Sequence, residues 1–228
     1  MKLRILFLPL LMVLMIGCSH ALTIKNYDMY ETPTKFSKAG GIKPSVAILP
    51  FSGRPDDLYY FNSIVTRLTM ASSIGELYTD YIPRTDSSDA DKPDLILSIR
   101  PSANYRSSGW NFLINWPGFI IFTPAWNGYV YHADILTQMD IQDKNGNLIN
   151  QLEVPISYDI RQAEMDRTIF TGLTWLEVSL LAFGGGIYNA TTFDRDIIGA
   201  LQLQIKDNYS NYVVNELISR ISSSSRSI

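Results

Sequence analysis

Few residues in this chain have chemistry to offer. There are two histidines and one cysteine. Only His132 stands in a pattern: Asp134 follows it closely, and Ser157 and Asp159 lie beyond an Asn145-Gly146 turn. Serine, imidazole and carboxylate are the groups of nucleophilic acyl transfer, in which the imidazole takes the hydroxyl proton and the carboxylate orients the ring. That reaction also needs a sharply turned nucleophile, donors for an oxyanion and a cleft that excludes water. Flat strand residues supply none of these, so the four are read as a surface polar cluster and the protein as no enzyme. Gly184-Gly185-Gly186 lacks the Lys-Ser or Lys-Thr that would follow in a phosphate-binding loop. Glu177, set among apolar neighbours, could reach solvent or Arg167 and is assigned no role. With no cluster of Cys and His to hold a metal, neither metal nor cofactor is expected.

These polar residues are positioned by a long β-hairpin from Tyr129 to Arg161. Asn-Gly favours a tight turn because both residues tolerate positive φ. With Asn145 and Gly146 as a two-residue loop, Lys144 faces Asn147. Counting back sets Met139 against Leu152, Ile135 against Ile156, Ala133 against Tyr158 and Tyr131 against Ile160. The alternate positions pair Asp140 with Gln151, Gln138 with Glu153, Asp134 with Ser157 and His132 with Asp159. One face is thus apolar and the other wet, and a slip of one residue would expose the whole apolar set.

The cysteine belongs to a different part of the chain. Met1-Lys2-Leu3-Arg4 is basic, Ile5 to Ile16 is apolar, and Gly17-Cys18-Ser19 follows, the build of a secretory signal peptide. The apolar run is shorter than the roughly 20 residues that span a bilayer. Leu14-Met15-Ile16-Gly17-Cys18 resembles the lipobox of bacterial lipoproteins, departing from it at Met15, where the family prefers Leu. The resemblance implies cleavage after residue 17, lipid on Cys18 and, with Ser19 next, transport onward to the outer membrane, facing the periplasm. Cys18 has no second cysteine for a disulfide, which favours the lipid reading over an ordinary leader. Each buried CH₂ of an acyl chain contributes about 0.8 kcal/mol, so two or more chains give a stable anchor without any transmembrane helix. After cleavage, 17 basic and 22 acidic residues remain, a net charge of −5. An acidic chain with no Lys/Arg run is a poor nucleic-acid binder.

The remaining organisation follows from pattern. Residues 18–44 are mixed and polar and read as the lipidated cysteine and a tether, with an edge strand over 22–29 as the alternative. Ser45 to Phe51 reads as a buried strand. Asp56 or Asp57 can cap a helix whose apolar positions are Leu58, Phe61, Ile64 or Val65, Leu68 and Ala71. A strand near Tyr78 to Pro83 and another over Leu95 to Arg100 precede the hairpin. A long helix capped by Asp194 closes a single α/β domain over 45–221, and 222–228 form a flexible tail. The fold class is α+β or α/β: one mixed, largely antiparallel sheet with helices on one face. Val46-Ala47-Ile48-Leu49-Pro50-Phe51, the strand opening Pro93-Asp94-Leu95-Ile96-Leu97, and the hairpin with its terminal helix resemble the α/β domains of envelope lipoproteins. Those families are the curli secretion channel subunit, the penicillin-binding-protein activators and the amino-terminal domain of the Tol-Pal β-propeller protein. Trp116-Pro117-Gly118-Phe119 with Pro124 to Tyr129 is similar to a segment of uncharacterised lipoproteins that carries no activity to transfer.

Two uncharged or nearly uncharged apolar segments flank the hairpin. The first, 110–126, holds Trp110, Phe112, Trp116, Phe119, Phe122 and Trp126. The second, 169–188, holds Trp175 and Leu180 and reads partly as a helix over 171–183. One reading makes them a second hydrophobic layer. The other makes them a surface for a membrane or for partner subunits, since Trp-rich patches mark both. Neither alternates as barrel strands do. The expectation is a lipid-anchored envelope protein that binds or assembles, partnered by the membrane and by another protein or further copies of itself. An oligomeric pore or secretion-channel component is the alternative and a hydrolase using His132 the second alternative.

Overall fold

A computed structural model describes residues 21–31, 43–83, 92–109, 111, 129–163 and 195–224. Among them the strands are β1 (Ala21–Ile24), β2 (Ser45–Ile48), β3 (Glu76–Tyr78), β4 (Leu95–Ser107), β5 (Tyr129–Asp143) and β6 (Leu148–Ala163), and the helices are α1 (Leu58–Thr69) and α2 (Arg195–Ser224). The strands form one six-stranded mixed sheet in the order β1-β6-β5-β4-β2-β3. β1 runs antiparallel to β6, and β2 runs parallel to both β3 and β4. The expected fold class is therefore observed. Contacts divide the chain into two compact units, one of residues Met1–Asn26, Tyr105–Ala133 and Tyr158–Ile198, the other of Tyr27–Asn104, Asp134–Ser157 and Gly199–Ile228.

In the second unit, hydrophobic burial follows the period of each element. Along the hairpin Ile135, Thr137, Met139 and Ile141 are buried on β5, and Leu152, Val154 and Ile156 on β6. Tyr60, Phe61, Ile64 and Leu68 form the buried face of α1; Leu201, Ile205, Tyr209, Val213 and Leu217 do so on α2. Tyr209 joins the layers: its ring meets Tyr60 edge-on at 5.2 Å between centroids, and its hydroxyl lies 2.7 Å from that of Thr137. Buried hydroxyls are costly unless paired, and here each satisfies the other. β2 is buried at Val46, Ala47 and Ile48, on both faces, as its unbroken apolar run requires. Ser45 and Asp94 lock its start to that of β4: the Asp94 carboxylate accepts from the Ser45 N–H and hydroxyl, and the Ser45 Oγ accepts from the Asp94 N–H.

Four local expectations are corrected. β3 covers Glu76–Tyr78 and stops before 79–83, because Asp80 turns the chain at φ 54°. β4 does not stop at Arg100 but continues through Pro101 to Ser107. Part of the expected tether pairs with the sheet, as Ala21 to Ile24 lie opposite Ala163 to Ile160. The hairpin turn is not the two-residue type. The Gly146 N–H donates to the Asp143 carbonyl, the Asp143 N–H donates to the Asn147 carbonyl, and Gly146 is at φ +84° while Asn145 keeps negative φ. That is a three-residue loop with glycine in the left-handed position. The extra residue is absorbed between Asn147 and Gln151, where the Gln151 N–H turns to the Asn150 side chain.

Candidate functional site

Downstream of that adjustment, the polar row of the hairpin forms in the register its sequence implies. Within the second unit Gln151 donates to Asp140 at 2.9 Å, Gln138 to Glu153 at 2.8 Å and the Ser157 hydroxyl to Asp134 at 2.7 Å. Arg100 of β4 adds an ion pair to Asp140 at 2.7 Å. Within the first unit His132 Nδ1 lies 2.7 Å from an Asp159 carboxylate oxygen, with the two side chains 38% and 48% exposed. Such exposure leaves the pair open to water, which weakens its attraction. In a Ser/His/Asp triad the serine hydroxyl donates to the imidazole; the Ser157 hydroxyl donates to the Asp134 carboxylate instead.

A second set of polar contacts completes strands that lack a neighbour, and no motif in the chain signals it. Asp57, expected as a helix cap, makes no side-chain cap. It is 2% exposed, and its carboxylate accepts from the Arg54 guanidinium at 2.8 and 3.1 Å and from the Ala103 N–H at 2.8 Å. Arg54 donates in turn to the Ala103 carbonyl. Arginine and aspartate thereby take the place of a strand on the β4 edge that β2, paired only as far as Leu97, leaves open. Pro101, two residues before Ala103 and on the same edge, has no N–H to satisfy. This explains how β4 passes through a proline.

The outer edge of β6 is closed by similar means. In the first unit, beyond the β1 pairing, the Lys25 N–H donates to the Asp159 carbonyl and the Asn26 side chain accepts from the Asp159 N–H. In the second, the Tyr30 hydroxyl accepts from the Ser157 N–H at 3.0 Å while its ring meets Tyr212 of α2 edge-on at 5.3 Å. Two residues on is Pro155, again without a donor. At the start of β5 in the first unit, fully buried Asn111 clamps Val130: its Nδ2 donates to the Val130 carbonyl at 2.9 Å and its Oδ1 accepts from the Val130 N–H at 2.8 Å. The Ser108 N–H donates to the same carbonyl.

Cys18 and the apolar candidates Trp110, Phe112, Trp116, Phe119, Phe122, Trp126, Trp175 and Leu180 lie outside the described residues, as does the expected helix cap Asp194. Among the described residues no three of His, Cys, Asp and Glu lie together as a metal group would require, and no helix is long and apolar enough to cross a membrane.

No protein-family model matches the chain, and no curated protein does. Among solved structures it is similar to a minor lipoprotein from Acinetobacter baumannii at 12% identity, over 74% of this chain and 92% of that one, with a TM-score of 0.31. It is also similar to PelC from Paraburkholderia phytofirmans, a dodecamer in that crystal, at 13% identity over 76% and 100% of the two chains, with a TM-score of 0.32.

Proposed function

We propose that this protein is a lipid-anchored component of the bacterial cell envelope, held at the outer membrane facing the periplasm, that acts by binding or assembly and not by catalysis. The observation that carries the reading is the run Leu14-Met15-Ile16-Gly17-Cys18 behind a basic start, with Cys18 the single cysteine of the chain. The non-catalytic part is supported by the hairpin face, where the Ser157 hydroxyl is bonded to Asp134 and His132 is paired with Asp159. Partner contact is assigned to the apolar segments through Trp110, Phe112, Trp116, Phe119, Phe122, Trp126, Trp175 and Leu180. Metabolic labelling with a fatty acid, followed by fractionation, tests the anchor. The wild-type chain is expected to carry label and to sediment with membranes, and Cys18→Ala to lose both; an unlabelled, freely soluble wild-type protein overturns the reading.

The pore alternative draws on one observation. Residues 112–128 leave and return at the Asn111–Val130 clamp, and 164–194 depart after Ala163, the other open end of the hairpin, so the two apolar segments start from one place. Paired insertions of that kind could line a ring of subunits. Analytical ultracentrifugation of the detergent-solubilised protein decides it: a ring of fixed stoichiometry supports a pore, a monomer excludes it. The hydrolase alternative is eliminated if His132→Ala complements a deletion as fully as the wild type, which is the outcome expected here.

A further inference from the structure

We infer that lipidation seats the β1 end of the sheet directly on the bilayer, with the headgroup layer as the surface that the first unit docks against. The inference rests on the lipid anchor proposed above and adds the orientation, which the cysteine alone does not give. It comes from how few residues separate Cys18 from the first strand. Ala21 already pairs with Ala163, Leu22 with Gln162 and Thr23 with Arg161, and the Lys25 N–H extends the ladder onto the Asp159 carbonyl. Three residue steps separate Cys18 from Ala21, and at roughly 3.6 Å each, fully extended, they reach about 11 Å. The polar layer on each side of a bilayer is itself roughly 5–7 Å deep. A lipid on Cys18 therefore keeps Ala21 beside the headgroups, and holds Thr23, two residues further on and with its side chain exposed, within about 18 Å of the lipidated residue. A disordered tether of the length first expected would have left the domain free to tumble at a distance; pairing of β1 removes that freedom.

The test uses the full lipidated protein, with Thr23→Cys carrying a fluorophore on its thiol while Cys18 is blocked by its own thioether. It is reconstituted in phosphatidylethanolamine/phosphatidylglycerol vesicles containing a small fraction of headgroup-nitroxide lipid. Strong quenching is expected, and inserting about 20 Gly/Ser residues after Ser19, a coil with an r.m.s. span of about 25 Å, should relieve it several-fold. A protein shown by intact mass to carry its lipid but left unquenched overturns the orientation, as does an insertion variant quenched as strongly as the native spacing. Absence of lipid from Cys18 in the intact mass overturns the anchor itself, so the two failures are distinguishable.

Discussion

Asp143 and Asp57 illustrate what a single carboxylate does in this sequence. Asp143 accepts from the Asn145 and Asn147 N–H groups and from the Asn147 side chain. The Asn147 side chain first, and the turn amides with it, hold its carboxyl below the ordinary carboxylate range. A depressed folded-state value means that its contribution is complete above the unfolded value of about 4 and is lost as pH falls through the lower folded value. Amide protection at Gly146 and Asn147, taken relative to the intrinsic exchange rate at each pH, should thus fall on acidification below about pH 4, and Asp143→Ala should show the reduced protection already at neutral pH. Asp57 carries a larger load because it is buried. Arg54→Ala strands that carboxylate with one backbone donor, and loss of a partner from a buried pair costs roughly 3–5 kcal/mol. Because the Arg54 side chain is 60% exposed, water screens the pair and the expected loss is smaller, about 2 kcal/mol, read as a lower midpoint in urea.

At the scale of elements, the sheet is defended where its strands outrun their neighbours. Tyr30 and Pro155 protect β6 differently: the first occupies the Ser157 N–H and the second offers no donor at all. Tyr30→Phe should cost about 1 kcal/mol for the lost hydrogen bond and leave the sedimentation of the protein as it is in the wild type. Combined with Pro155→Val it reopens two successive edge donors, and light scattering should then show concentration-dependent association. The hairpin's register was legible in the sequence because its side-chain period and the burial of one face constrain the same choice. Its turn was misread, since Asn-Gly suits both loop lengths and the difference is absorbed by one residue near Asn150. The edge closures were illegible for a plainer reason. Arg54 and Ala103, or Asn111 and Val130, meet only through pairings distant in sequence, and neither pair carries a motif.

At the scale of the whole molecule, the proposed function rests on the lipobox-like run at the amino terminus and, among the described residues, on hairpin side chains that are bonded to one another. Strand β1 ties the two together, because residues first placed in a tether pair with β6 instead. Thr23, Ile24 and Tyr27 hinted at this through their strand propensity, but an edge strand of four residues is too short for periodicity to establish. With the proposed lipid on Cys18, what the fold would present to a partner is set by how close β1 lies to that residue.

The Asn111 clamp has a consequence for how such a chain can change. Its amide presents a donor and an acceptor to Val130 as a neighbouring peptide would, so the sheet ends in a finished bond whatever lies between the two residues. Loop-closure entropy grows only by about 0.6 kcal/mol per doubling of length. Exchange of residues 112–128 for a few glycines and serines should therefore leave β5 and β6 in register, as read by backbone NMR. That outcome would make the clamp a boundary across which sequence can be exchanged without renegotiating the fold.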